Sequence, residues 1–135
     1  MLQVQNLTKV YEDGTRALID ASFTVSEGEF VVLLGLSGSG KSTLLRCINR
    51  LIEPTSGKVI FNGVDVTAAS GQELRLVRRN IAMIFQQFNL VERSSVLTNV
   101  LSGRLGYVNS LSSSLGIFPK EEIERAMHNL ERVGL

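Results

Sequence analysis

Gly35-Leu36-Ser37-Gly38-Ser39-Gly40-Lys41-Ser42-Thr43 decides how the rest of the chain is read. A continuously apolar run, Phe30-Val31-Val32-Leu33-Leu34, precedes it, and Leu44, Leu45, Ile48, Leu51 and Ile52 recur after it at helical spacing. The pattern is Gly-x-x-x-x-Gly-Lys-Ser/Thr between a predicted strand and a predicted helix, the setting in which it binds phosphate. Each residue type has a physical task. The glycines admit positive φ and let successive backbone N–H groups close around phosphate oxygens. A helix starting near Lys41 directs about half a positive charge at the same point. Lys41 adds a full charge able to reach β- and γ-phosphates, and the Ser42 hydroxyl can ligate Mg2+. At average residue frequencies, a chance match somewhere in a chain of this length has a probability of about half a percent. The whole stretch, residues 35–43, is read as a nucleotide-binding loop.

Upstream of the loop, residues 1–26 read as antiparallel strand. Leu2 and Val4 alternate with Gln3 and Gln5, Asp13-Gly14 marks a turn, and Ala21, Phe23 and Val25 alternate with Ser22, Thr24 and Ser26. The unbroken apolar run 30–34 predicts instead a central parallel strand covered on both faces. Downstream, residues 53–57 end the first helix. Asn62-Gly63 predicts a hairpin between 59–61 and Val64. Ser70-Gly71-Gln72-Glu73 fits a capping box opening a short helix to about Arg79. Residues 81–85 predict another buried strand, and 96 to about 104 a helix. Residues 107–116 are Ser-rich and Gly-bounded, which predicts a loop. Pro119 opens an amphipathic helix with Ile123, Met127, Leu130 and Val133 on one stripe. Glu121 and Arg125 are spaced to pair there, and Gly134 sits at its end.

Composition limits what such a loop can serve. A chain of 135 residues has room for a single core. At 44% hydrophobic and 20% charged it has the balance of a soluble globular protein and not of a disordered one. The longest run without a strongly polar side chain, residues 30–36, is far short of the roughly 20 that a membrane-spanning helix needs. No cationic start followed by an apolar stretch marks a secretory signal. Fourteen basic residues against thirteen acidic ones leave a net charge of +1, so overall electrostatics point to no nucleic-acid partner. Cys47 is the single cysteine; it fits a reducing cytosol and reads as buried packing.

Two further stretches narrow the class. The antiparallel β-region before the loop, with Val10-Tyr11 at the end of its first strand, resembles the ABC-type ATPases; the resemblance implies that Tyr11 stacks on adenine. Forty-five residues past Lys41, Ile84-Phe85-Gln86-Gln87-Phe88-Asn89-Leu90 resembles the Q-loop of ABC transporter ATPases. There the resemblance implies that Gln86 contacts Mg2+ and the attacking water, a task suited to an amide that can offer oxygen to a metal. Residues 86–100 resemble importer ATPases. Leu101-Ser102-Gly103-Arg104-Leu105-Gly106 and Leu115-Gly116-Ile117-Phe118 resemble the ATP-binding subunit of phosphonate importers, with Leu111-Ser112 standing where such members carry Trp-Arg. Leu101-Ser102-Gly103 also echoes the start of the ABC signature Leu-Ser-Gly-Gly-Gln. Arg104-Leu105 follow it only fifteen residues past Gln86, so it is not read as the signature.

The resemblance covers essentially the whole chain and implies an α/β P-loop NTPase fold of ABC type. That is a mixed sheet with an antiparallel β-subdomain, followed by the start of a helical subdomain. Residues 1–86 would form the ATP-binding core, and 87–135 the Q-loop and the beginning of the helical subdomain. By the same resemblance the cofactors are ATP and Mg2+. Lys41 and Gln86 are catalytic, Ser42 and Gln86 face the metal, and Tyr11 with Gly35, Leu36, Ser37, Gly38, Ser39, Gly40, Lys41, Ser42 and Thr43 binds nucleotide. The implied function is to energise an importer of phosphonates or related phosphorus oxyanions from the cytoplasmic face of the inner membrane. Implied partners are a second copy in a nucleotide sandwich, two integral membrane permease subunits and, indirectly, an extracytoplasmic binding protein. An importer of polar amino acids or other cargo, and a soluble or non-catalytic ABC-type nucleotide binder, remain the alternatives. No run of apolar residues ending in Asp-Glu follows Gln86. His128, the only histidine, reads as a partly exposed helical residue. The stretch therefore resembles the N-terminal half of such an ATPase, expected alone to bind ATP weakly and hydrolyse it negligibly. Arg75, Arg78 and Arg79 read as a solvated helix face, and Ser110 and 112–114 as loop.

Overall fold

The computed structural model describes residues 1–87, 89–108 and 116–135, in two compact units, Met1–Ile81 and Ala82–Leu135. The first unit is built on an antiparallel sheet of β1 (Leu2–Val10), β2 (Arg16–Val25), β3 (Ser56–Phe61) and β4 (Val64–Asp65), in the order β2-β1-β3-β4. Alternation put β1 in the middle: Val4 faces Phe23 of β2 on one side and Val59 of β3 on the other. The Asp13-Gly14 turn closes as predicted, with the Gly14 N–H donating to the Tyr11 carbonyl at 2.9 Å and the Thr15 N–H to Asp13 Oδ1 at 2.9 Å. Asn62 and Gly63 both take positive φ, 48° and 83°, the type I′ geometry whose twist matches a tight hairpin.

Helix α1 (Lys41–Ile48) covers this sheet, laying Leu44, Cys47 and Ile48 against Val4, Leu7, Leu18 and Val59. Val66 and Val77, the latter on α2 (Gly71–Asn80), complete the cluster. α1 is shorter than its apolar spacing predicts. Arg50 adopts φ 54° and turns the chain, so the N–H groups of Leu51 and Ile52 both return to the Arg46 carbonyl, at 2.8 and 3.1 Å. The Arg50 guanidinium then bonds Glu53 at 2.8 Å and the carbonyls of Val66 and Ala69. Arg78 reaches from α2 to the carbonyls of Asn49 (3.2 Å) and Arg50 (2.6 Å), placing a cation at the negative end of α1. Arg78 thus ties the two segments together while staying on the exposed face of α2 with Arg75 and Arg79. The capping box at Ser70 does not form either. Its side chain makes no cap bond, and the Ser70 carbonyl takes the Glu73 N–H at 3.1 Å.

The strands predicted at 30–34 and 81–85 are absent. Both segments lie outside the sheet, with Phe30 89%, Leu34 90% and Ile84 98% exposed. A parallel strand obtains every inter-strand hydrogen bond from its neighbours and its dryness from cover on both faces. Among the described residues no strand lies alongside either segment.

The second unit pairs α3 (Val96–Ser102) with α4 (Lys120–Arg132), burying Leu101 and Ala126. Ser95 caps α3, accepting the Thr98 N–H at 3.1 Å. The Asn99 amide holds Val91 through both its N–H (2.8 Å) and its carbonyl (3.2 Å). Leu101-Ser102-Gly103, the echo of a signature, is the end of this helix, with Leu101 buried and Ser102 and Gly103 exposed. On α4 the predicted Glu121–Arg125 pair is not among the ion pairs; the shielded carboxylate is Glu122, gripped by Arg104 from outside the helix at 2.6 and 2.8 Å. The Arg104 guanidinium also lies 3.9 Å from the centroid of the Tyr107 ring. The predicted apolar stripe is only partly used, since Ile123, Met127 and Val133 stay open and Ala126 is the buried residue of α4. Phe88 and 109–115, which include Leu111 and the loop serines, lie outside the described residues.

The Arg104 hydrogen bonds hold the Glu122 carboxyl below the usual carboxylate range. A group whose folded value is depressed contributes stability above its unfolded value, about 4.3 for glutamate, and loses it as pH falls through the folded value. Glu122→Gln should therefore lower the melting temperature at pH 7 and remove much of the difference between melts at pH 7 and pH 4. An unchanged acid limb in the variant would show that the pair contributes nothing to the second unit.

Candidate nucleotide-binding site

The site is assembled where the loop meets α1. Gly40, the residue before the helix, has φ 86°, and a Cβ there would stand 2.2 Å from the Ala17 carbonyl oxygen of β2. Only glycine allows both the left-handed backbone and that approach. The start of α1 has no side-chain cap and no acidic residue in its first turn. No side chain or carboxylate therefore competes for its leading N–H groups and the positive end of the helix dipole, which suits an anion.

Lys41 is folded back over the loop. Its Nζ donates to the carbonyls of Gly35 (2.8 Å) and Leu36 (2.7 Å) and to Ser39 Oγ (3.1 Å), so the ammonium is satisfied by dipoles and not by a carboxylate. A phosphate oxygen offers that cation a full negative charge in place of those carbonyls, a shorter and stronger hydrogen bond. Ser37, Gly38 and Ser42 are exposed around the same turn. Tyr11, just past β1, brings its hydroxyl 3.4 Å from Thr43 Oγ1 and keeps 37% of its surface open. The first unit thus brings together Tyr11, residues 35–43 and the start of α1, which no side chain caps. Gln86 belongs to the second unit, exposed in a bend after 81–85, and His128 lies exposed on α4.

Among the described residues no group of three His, Cys, Asp or Glu side chains could hold a metal. The donors present, an exposed Ser42 hydroxyl beside a phosphate cradle, fit a Mg2+ that is bound chiefly by nucleotide phosphates and water. Cys47 is fully buried, and burial pushes its thiol up, so it packs as predicted and is poorly nucleophilic. Arg78, read from the sequence only as part of a helix face, steadies the far end of α1. One residue that matters here escaped the sequence reading. Lys9 lies with its Nζ 5.2 Å from the centroid of the Tyr11 ring; the signal for it was its place near the end of a strand, two residues before Tyr11.

Residues 18–135 match the family described as ABC transporter. The chain is 53% identical over all 135 residues to the "Phosphonates import ATP-binding protein" of Bacillus thuringiensis and covers 52% of that protein. It is equally similar to the protein of that name from Shouchella clausii, covering 51% of it. The chain therefore spans about half the length of the curated relatives it matches. Among solved structures it resembles a dimeric ATP-binding cassette in a post-hydrolysis state bound to ADP and Pi. That likeness has a TM-score of 0.80 at 34% identity, covering 97% of this chain and 56% of the other. A component of an ABC transporter complex from Clostridium perfringens gives a TM-score of 0.70 at 30% identity, covering 99% and 50%. No helix among the described residues is long and apolar enough to cross a membrane. With its loop, its sheet and its match over most of its length, the chain belongs to the ABC transporter family.

Proposed function

We propose that the protein is the ATP-binding subunit of an importer for phosphonates or related phosphorus oxyanions. The observation that carries nucleotide binding is the open N-terminus of α1 beside a lysine held only by carbonyl and hydroxyl oxygens. The loop N–H groups and Lys41 hold the β- and γ-phosphates, and Tyr11 stacks on the adenine. By the family resemblance Ser42 and Gln86 would hold Mg2+, and Gln86 would orient the attacking water. Mg2+, when bound, neutralises charge on the phosphates as they are transferred. A second copy closes the nucleotide sandwich, and paired membrane subunits convert closure into import at the cytoplasmic face. The cargo rests on the 53% identity to phosphonate-import proteins, which extends over the whole chain.

The test uses the full-length protein as its cell makes it, assembled in vesicles with its membrane subunits and binding protein. An alkylphosphonate should stimulate ATP hydrolysis severalfold, and Lys41→Ala should show no stimulation. Stimulation by a polar amino acid and not by the phosphonate would replace the cargo. Full activity without any membrane subunit would replace the transporter reading with a soluble ATPase.

A further inference from the structure

Lys9 lies on β1 with its side chain half-buried, and none of the ion pairs among the described residues includes it. A lysine that is neither free in water nor matched to a carboxylate needs another partner. That partner is the Tyr11 ring, 5.2 Å from Nζ to its centroid, within the range of a cation–π contact. Along this strand Leu7 is fully buried, Lys9 half-buried and Tyr11 open over a third of its surface, a gradient from core to rim. At its other end the ring is held by the Thr43 hydroxyl at 3.4 Å.

We propose that Lys9 is a positioning residue for the nucleotide base. Its ammonium seats one face of Tyr11, Thr43 fixes the hydroxyl, and the remaining face is presented to an adenine. A ring already held in place is not ordered at the expense of binding, so the base gains the full benefit of stacking. Lys9 then acts on recognition of the base and leaves the phosphate cradle alone. The inference rests on the reading of Tyr11 as the stacking residue.

Affinities of MgATP and of inorganic tripolyphosphate, measured by calorimetry on the full-length protein at about 0.15 M salt, separate the two parts of the ligand. Lys9→Met keeps the aliphatic stem and removes the charge. It should weaken ATP about two- to fivefold, the size of an exposed cation–π contact, with tripolyphosphate unchanged. Lys9→Arg should restore ATP binding. Equal losses for both ligands, or no loss for ATP, would overturn the assignment. Tyr11→Ala distinguishes this from failure of the underlying reading. If that variant loses the preference for ATP over tripolyphosphate while Lys9→Met keeps it, only the role of Lys9 falls. If Tyr11→Ala also keeps the preference, the stacking reading falls and the role of Lys9 with it.

Discussion

Gly40→Ala should both unfold the protein more easily and abolish its affinity for nucleotide. The left-handed backbone at φ 86° costs an alanine about 1–2 kcal/mol. The new Cβ would also stand 2.2 Å from the Ala17 carbonyl oxygen and 3.2 Å from a Leu18 methyl, so β2 or the start of α1 has to move. Forced displacement in a packed region costs about another 1–3 kcal/mol. The movement falls on the residue that aims the first N–H groups of α1, so the phosphate cradle is lost with the packing. Gly38→Ala is the matched control: its φ is 80°, but a Cβ there meets nothing within 4 Å. Urea denaturation and an ATP titration on both variants give the answer. Equal losses would mean that backbone conformation alone, and not the approach of β2, requires glycine at position 40.

The second large effect is expected at Leu7. It is fully buried on β1, enclosed by β2, β3 and α1, and belongs to the cluster that seats the nucleotide-binding helix. Leu7→Ala removes the transfer energy of the lost methyl groups and leaves a cavity, together about 2–5 kcal/mol. Ile19→Ala, at a position 68% exposed, should stay within about 0.5 kcal/mol of the parent. Comparing the two midpoints of denaturation checks both numbers at once. A Leu7 variant as stable as the Ile19 variant would mean that the β1–α1 layer is not the core of the first unit.

What could be read from the sequence was what short-range physics decides. Asn62-Gly63 specifies its hairpin because few other pairs tolerate positive φ twice. The loop 35–43 is legible because glycine, lysine and serine at that spacing have one shared use. The misreadings share the opposite cause. Residues 30–34 carry the pattern of a strand covered on both faces, but pairing is a property of neighbours distant in the chain, and none of the described residues provides it. Leu51 and Ile52 continue a helical period, yet Arg50 ends the helix because Val66 and Ala69 offer carbonyls to its guanidinium. Glu121 and Arg125 have the right spacing, but Arg104, eighteen residues before Glu122, reaches the neighbouring carboxylate instead. The roles expected of Lys41 and Ser42 followed from the loop pattern, whereas those of Tyr11 and Gln86 came from family resemblance, which composition and period alone do not supply.

The knot of guanidinium-to-carbonyl bonds at Asn49 and Arg50 makes α1 a post set in a footing. Phosphate arriving at the opposite end cannot drive such a helix across the sheet. On the proposed reading, the response would fall on 35–39, where the Lys41 ammonium, now on the Gly35 and Leu36 carbonyls, would exchange them for phosphate oxygens. Docking of a nucleotide would then require the release of a single side chain, an event of nanoseconds, and no shift of secondary structure. The first step of the cycle is accordingly expected to be fast, reversible and local.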